Sequence, residues 1–111
     1  MATLATQTIS LVGVVPAYSA AAGGGDQFTP SEKTYLHVKN GGVGSITVTI
    51  VTPLEAAPNI AMADISVTVA NGAEKVIGPF GAALFQNATG LADVTYSGVT
   101  SVTVGVFRIG T

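Results

Sequence analysis

The chain has 111 residues, no cysteine, and Asp, Glu, Lys or Arg at only 9% of positions, against about 25% in an ordinary soluble domain. That length makes one domain, and the missing cysteines exclude disulfides and thiolate metal sites. The four basic residues, Lys33, Lys39, Lys75 and Arg108, are scattered along the chain, which speaks against the clustered phosphate contacts of a direct nucleic-acid binder. No run approaches the roughly 20 apolar residues of a membrane helix, so no membrane partner is expected. A surface so poor in charge leaves strand edges unguarded, which predicts that protein neighbours cover much of it.

Residues 1–25 start without Lys or Arg, and Pro16 interrupts their apolar run, so they do not read as a signal peptide. They predict an extended arm over 1–7, a strand near Thr8 to Val15, and a flexible connection from Ala17 to Gly25. Gly23-Gly24-Gly25-Asp26 is not followed by Lys and Ser or Thr, so it is no phosphate-binding loop. From Thr34 to Pro53 the pattern is strand, glycine turn, strand and stop. Leu36 and Val38 alternate with Tyr35, His37 and Lys39; Ile46, Val48 and Ile50 alternate with Thr47 and Thr49. Period two puts one set on a core face and the other outside. Asn40-Gly41-Gly42 suits a chain reversal and Pro53 ends the second strand, so the stretch predicts a central hairpin.

Leu54 to Asn59 contains Pro58 and predicts a loop. Ala63 to Ala70 alternates again, Asn71-Gly72 signals a turn, and Glu74 to Ile77 starts the next strand, which together predict a second hairpin. Gly78-Pro79-Phe80 breaks the pattern, and Ala82 to Phe85 is a short strand or one helical turn. Asn87 to Gly90 is a turn, Leu91 to Ser97 a strand, Gly98 a turn, and Thr100 to Ile109 the last strand. In that strand Val102, Val104 and Val106 share one face while Phe107 and Ile109 point the other way. About eight strands at turn spacings of roughly 8–12 residues predict an all-β fold. It is expected to be a single β-sandwich or jelly-roll-like domain over 8–111 with an extended N-terminal arm over 1–7. A closed barrel is the alternative.

No constellation of catalytic residues stands out, and no catalytic, cofactor-binding or metal-binding residue and no enzymatic activity is expected. His37, the only histidine, lies mid-strand and reads as a surface or interface residue. The carboxylates Asp26, Glu32, Glu55, Asp64, Glu74 and Asp93 do not form a calcium loop. They read as loop-solvating and turn-capping groups, Asp26 and Glu74 above all. A glycosidase pair or a carbohydrate-binding surface would want an aromatic platform, and the chain has no Trp, three Tyr and four Phe. Ser97 has no nucleophile elbow around it, and Asn87-Ala88-Thr89 is a chance-level glycosylation tripeptide. The better candidates are interaction elements. In the N-terminal segment Leu4, Ile9, Leu11 and Val12 offer apolar side chains with no charge nearby, and an extended arm with Thr3, Leu4, Thr6 and Gln7 as its contacts could add a strand to a partner's sheet edge. Tyr35 and His37 on the outer face of their strand could touch a neighbouring subunit. Gly78-Pro79-Phe80, with Leu84 and Phe85, would seal the core end or anchor a subunit interface.

Several runs resemble small structural proteins of tailed double-stranded DNA bacteriophages. They are Pro16-Ala17-Tyr18-Ser19-Ala20-Ala21, Gly24-Gly25-Asp26, and Leu36-His37-Val38-Lys39-Asn40-Gly41 with Ile46-Thr47-Val48-Thr49-Ile50. Glu74-Lys75-Val76-Ile77-Gly78-Pro79-Phe80, Leu84-Phe85, Gly90-Leu91 and Val94-Thr95-Tyr96-Ser97 continue the likeness. In size and composition the chain is most similar to a head decoration, or cement, protein. That resemblance implies a homotrimer, made in the host cytoplasm, that binds the phage major capsid protein on the outer capsid surface and stabilises the virion. A β-sandwich associated with tail, neck or fibre is the alternative, and a carbohydrate-binding module a more distant one.

Overall fold

The computed structural model describes residues 2–53, 55–57, 60–61, 64–81 and 85–109. The short segment from Ala82 lies outside the described residues as far as Leu84, as do Leu54, Pro58, Asn59 and Ala63. Twelve strands follow in order: β1 (Ala2–Thr3), β2 (Thr6–Ile9), β3 (Ser19–Ala20), β4 (Asp26–Phe28), β5 (Thr34–Asn40), β6 (Ile46–Ile50), β7 (Glu55–Ala57), β8 (Ile60–Ala61), β9 (Ile65–Val69), β10 (Glu74–Ile77), β11 (Ala92–Tyr96) and β12 (Val102–Ile109). Sheet 1 has the order β1-β4-β11-β6-β9, and sheet 2 the order β10-β5-β12-β2, with β3 also pairing with β12. With the added strands β1 and β2 set aside, the ladders are β4-β11-β6-β9 and β3-β12-β5-β10, antiparallel throughout. Successive strands wind between the two sheets in the eight-strand connectivity of a jelly roll.

The alternation read from sequence decides which side chains meet between the sheets. Leu36 and Val38 of β5 and Val102, Val104 and Val106 of β12 face Ile46, Val48 and Ile50 of β6 and Ala92 and Val94 of β11, all buried in one cluster. Phe28, Phe80 and Phe85 fill one region of it, with ring centroids 5.0 Å apart for Phe28–Phe80 and 5.4 Å for Phe80–Phe85. The Phe80 break therefore seals the core.

The expected hairpins are sheet-to-sheet arches instead. β5 pairs with β10 and β12 in sheet 2, while β6 pairs with β9 and β11 in sheet 1. β9 and β10 likewise part into different sheets, as do β11 and β12. The cause is visible at Asn40, which is only 2% exposed. Its side-chain N–H groups donate to the carbonyls of Gly44 (2.9 Å) and Val69 (3.0 Å), and its Oδ1 accepts from the Gly42 amide (3.0 Å). Its own backbone bonds reach Ala73 and Gly72, and Gly41 N–H donates to Ser101 O. Asn40 and its neighbour Gly41 thus tie together the β5–β6, β9–β10 and β11–β12 connections. The approach is so close that a Cβ on Gly42 would lie 2.9 Å from the Thr100 carbonyl oxygen. A two-residue hairpin turn would pair β5 with β6 directly and leave this buried amide without its partners, which is costly.

At the same end, the buried Asp26 carboxylate accepts from the Tyr96 hydroxyl (2.7 Å) and from the Ala22 amide (3.3 Å). Asp26 is therefore an interior clasp between the β3–β4 connection and β11, in place of the solvated loop residue expected. Burial, then the hydrogen bond and the charge of Asp26, push the Tyr96 phenol far above its usual 10.0.

Among the described residues of the arm, 2–7, the chain is extended but paired within itself. β1 runs parallel to β4, Leu4 N–H donates to Gln27 O (2.7 Å), and β2 runs parallel to β12 from Thr6 to Ile9. Leu4 lies in the core, and the boundary expected at residue 7 falls inside β2. The strand expected to reach Val15 stops at Ile9, because a turn closes from Ser10 to Gly13. The connection from Ala17 contains β3, and the loop expected from Leu54 contains β7, which pairs with β8.

Asn40→Ala is expected to cost about 1–3 kcal/mol, since the buried Val69 carbonyl loses its partner, as do the Gly44 carbonyl and the Gly42 amide; urea unfolding measures it. Tyr96→Phe is expected to cost about 1–3 kcal/mol at neutral pH. A raised phenol contributes stability that is complete below its unfolded value and is lost as pH rises above it. Wild-type stability should therefore fall above pH 10 more steeply than that of Tyr96→Phe, by up to about 1.4 kcal/mol per pH unit.

Candidate functional site

The outer face of sheet 2 carries the densest grouping of aromatic and titratable side chains. Period two turns Tyr35, His37 and Lys39 of β5 outward, beside Glu74 and Val76 of β10 and Gly105, Phe107 and Ile109 of β12. Tyr35 stacks on Phe107 with centroids 5.6 Å apart at 21°, which buries Phe107 from outside and gives the end of β12 cover on both faces. The chain between β2 and β3 then crosses this face as a strap, residues 10–18.

Its attachments are specific. Gln7 grips Ala17 with both ends of its amide, Nε2 donating to Ala17 O and Oε1 accepting from Ala17 N–H, each at 2.7 Å. Tyr18 lies against Phe107, 5.7 Å between centroids, with Lys39 Nζ 3.9 Å from its ring centre, a cation–π contact. Gly105 makes the seat: a Cβ there would come within 3.0 Å of Ala17 O and of the Tyr18 ring. The Tyr18 hydroxyl sits 2.7 Å from His37 Nδ1, and His37 Nε2 lies 3.0 Å from Glu74 Oε1. The tautomer with hydrogen on Nε2 satisfies both contacts, with Tyr18 donating to His37 and His37 donating to Glu74.

A phenol, an imidazole and a carboxylate in line have the outline of a nucleophile, base and orienter. What surrounds them is apolar: the depression beside Tyr18 and His37 is lined by Ile9, Val14, Pro16, Val76 and Phe107. The chain of hydrogen bonds acts as a clasp that pins the strap to the sheet.

Between its fixed ends the strap presents apolar side chains to water. Leu11, Val12 and Val15 are 107%, 96% and 89% exposed. Leu11 and Val12 occupy the tip of the turn closed by Gly13 N–H to Ser10 O (3.0 Å), with Gly13 at φ +88°. Turn tips ordinarily carry Asn, Asp, Gly or Ser. Exposed Val76 and Ile109 extend the stripe across the sheet, and adjoining depressions share Ile9, Tyr35, Val76 and Ile109.

Of the residues expected to make contacts, Gln7, Tyr35 and His37 converge around Phe107 and the strap. Thr3 is exposed on β1, Thr6 is half-buried on β2, and Leu4, in the link between them, is in the core. Tyr18, Val14, Val15, Val76 and Ile109 were not anticipated. The signal for Val14 and Val15 was the run from Leu11 to Val15, which breaks period two and is bounded by Pro16; Tyr18, Val76 and Ile109 join them only through register. Asp64 and Asp93 serve as structural acceptors, Asp64 for the Thr52 amide and Asp93 for Gln27 and Asn87. No cluster of three or more His, Cys, Asp or Glu able to hold a metal ion occurs among the described residues. Comparison with family models, with curated proteins and with solved structures gives no match.

Loosening the clasp should free the strap without unfolding the sandwich. Gln7→Ala combined with Tyr18→Phe is expected to speed hydrogen exchange at the Ala17 amide by about ten-fold or more, with β5 and β12 protection unchanged.

Proposed function

We propose that this chain is a structural virion protein: a decoration, or cement, protein that binds the outer surface of a phage capsid and stabilises it without catalysis. The observation that carries this reading is the strap, an uncharged apolar loop clamped at its base and displayed to solvent. Apolar side chains held rigidly outside a packed core favour a protein partner, because little conformational entropy is lost when they are covered. As a homotrimer it would present three straps, so modest contacts would combine by avidity. The partner is then the phage major capsid protein and the location the outer capsid surface, after synthesis in the host cytoplasm.

The test is sedimentation of purified protein with expanded, undecorated capsid shells. Binding that saturates at a fixed ratio to capsid subunits is expected, with shells surviving higher temperature. Absence of co-sedimentation at large protein excess, or labelling of tails instead of heads, would overturn the assignment.

A further inference from the structure

Three of the four basic residues, dispersed in sequence, come into one sheet. Lys39, Lys75 and Arg108 lie on β5, β10 and β12 of sheet 2, and Lys33 is held at the border of that sheet by Ile109 N–H donating to Lys33 O. Lys39 shares the strap face, where it sits over Tyr18; Lys75, opposite Val38, and Arg108, opposite Thr34, alternate to the other face, Arg108 at the exposed end of β12 beside the strap tip. Asp26 and Asp93 lie on β4 and β11 of sheet 1, and Asp64 directly precedes β9 of that sheet. Against the four cations, sheet 2 and its border carry two carboxylates, Glu32 and Glu74, and Glu74 is engaged by His37. No Lys or Arg forms an ion pair with a carboxylate among the described residues. Arg108 borders the depression that contains Leu11 and Val12, and Lys33 the one that contains Val76 and Ile109.

From this arrangement we infer that the strap side of sheet 2 is the face that docks, and that its partner is a protein surface with an apolar centre and a rim of carboxylates. The inference rests on the virion reading and names the chemistry of the shell surface that reading requires. An apolar centre with polar charges at its margin is the usual anatomy of a protein interface, and unpaired cations at the margin steer an acidic partner. A bilayer fits less well. Electrostatic attachment to anionic lipid draws on clusters of about four to eight basic residues, and here single cations stand apart around the stripe. A second copy of this chain fits less well too: the outer face of its acidic sheet 1 carries Thr47, Thr49 and Thr95, which offer no apolar centre to meet Leu11 and Val12.

The experiment is a binding isotherm of the full chain on expanded, undecorated shells at low and moderate salt. Leu11→Ser with Val12→Ser should weaken binding at least ten-fold at either salt. Lys33→Glu with Arg108→Glu should weaken it about ten-fold at low salt and less at moderate salt. Thr49→Ala with Thr95→Ala, on the opposite sheet, should bind as wild type, and unchanged thermal unfolding confirms that each variant is folded. If wild type binds and the strap and cation variants bind equally well, the inference fails while the virion reading stands. If wild type does not bind, the reading fails and takes the inference with it. Flotation of wild type with phosphatidylserine vesicles, or self-association abolished by Leu11→Ser, would show a different occupant and overturn the inference.

Discussion

The buried amide of Asn40 is the constraint on which the rest of the sandwich depends. Its donors and its acceptor are all engaged, across connections that are distant in sequence. A buried polar group of this kind is tolerated only when fully satisfied, so Gly42, Gly44 and Val69 must arrive together or not at all. That requirement turns three local chain reversals into one corner. β5 and β6 must then leave in different sheets, and β9 with β10 and β11 with β12 must follow. Tyr96 and Asp26 add a second clasp at the β3–β4 connection, where one carboxylate oxygen takes the Tyr96 hydroxyl and the Ala22 amide while the other lies buried without a partner. The apolar interior supplies most of the driving force, while these polar clasps select which arrangement of eight strands uses it.

A sandwich closed at one end can devote its other surfaces to presentation. The N-terminal strands extend one side of each sheet, β1 beside β4 and β2 beside β12, so those sides end in short strands of two and four residues, and short edge strands invite less pairing. Gly105 leaves a flat seat on β12 for Tyr18, and the hydrogen bonds from Gln7, Tyr18, His37 and Glu74 fix the strap above it. Both ring nitrogens of His37 are thereby committed to holding the chain in place. The strap's tip is left carrying Leu11 and Val12 into water, a placement that makes physical sense if another protein covers them.

Much of this was legible in the residues. The alternations at Leu36 and Val38, at Ile46, Val48 and Ile50, and from Val102 to Val106 located the core faces, because period two leaves one buried side. Asn40-Gly41-Gly42, Asn71-Gly72 and Gly98 marked true reversals. What local pattern could not convey is where a reversed strand pairs. An arch and a hairpin draw on the same turn residues, and the choice was made by Val69 and Ser101, distant partners of the Asn40 corner. Leu4 looked free for the same reason: its partner, Gln27, lies across the strap and β3. The outer cluster was missed because Tyr18, His37 and Phe107 are brought together only by register, and the placement of Lys39, Lys75 and Arg108 in one sheet appears only when β5, β10 and β12 become neighbours.

The most direct measurement is a cryo-electron microscopy reconstruction of expanded shells saturated with this protein. The account predicts added density on the outer surface, into which the sandwich fits with Leu11, Val12 and Ile109 against the shell and the outer face of sheet 1 toward solvent. Shells without added density, or a sandwich attached through Thr49 and Thr95 with the strap facing outward, would contradict it.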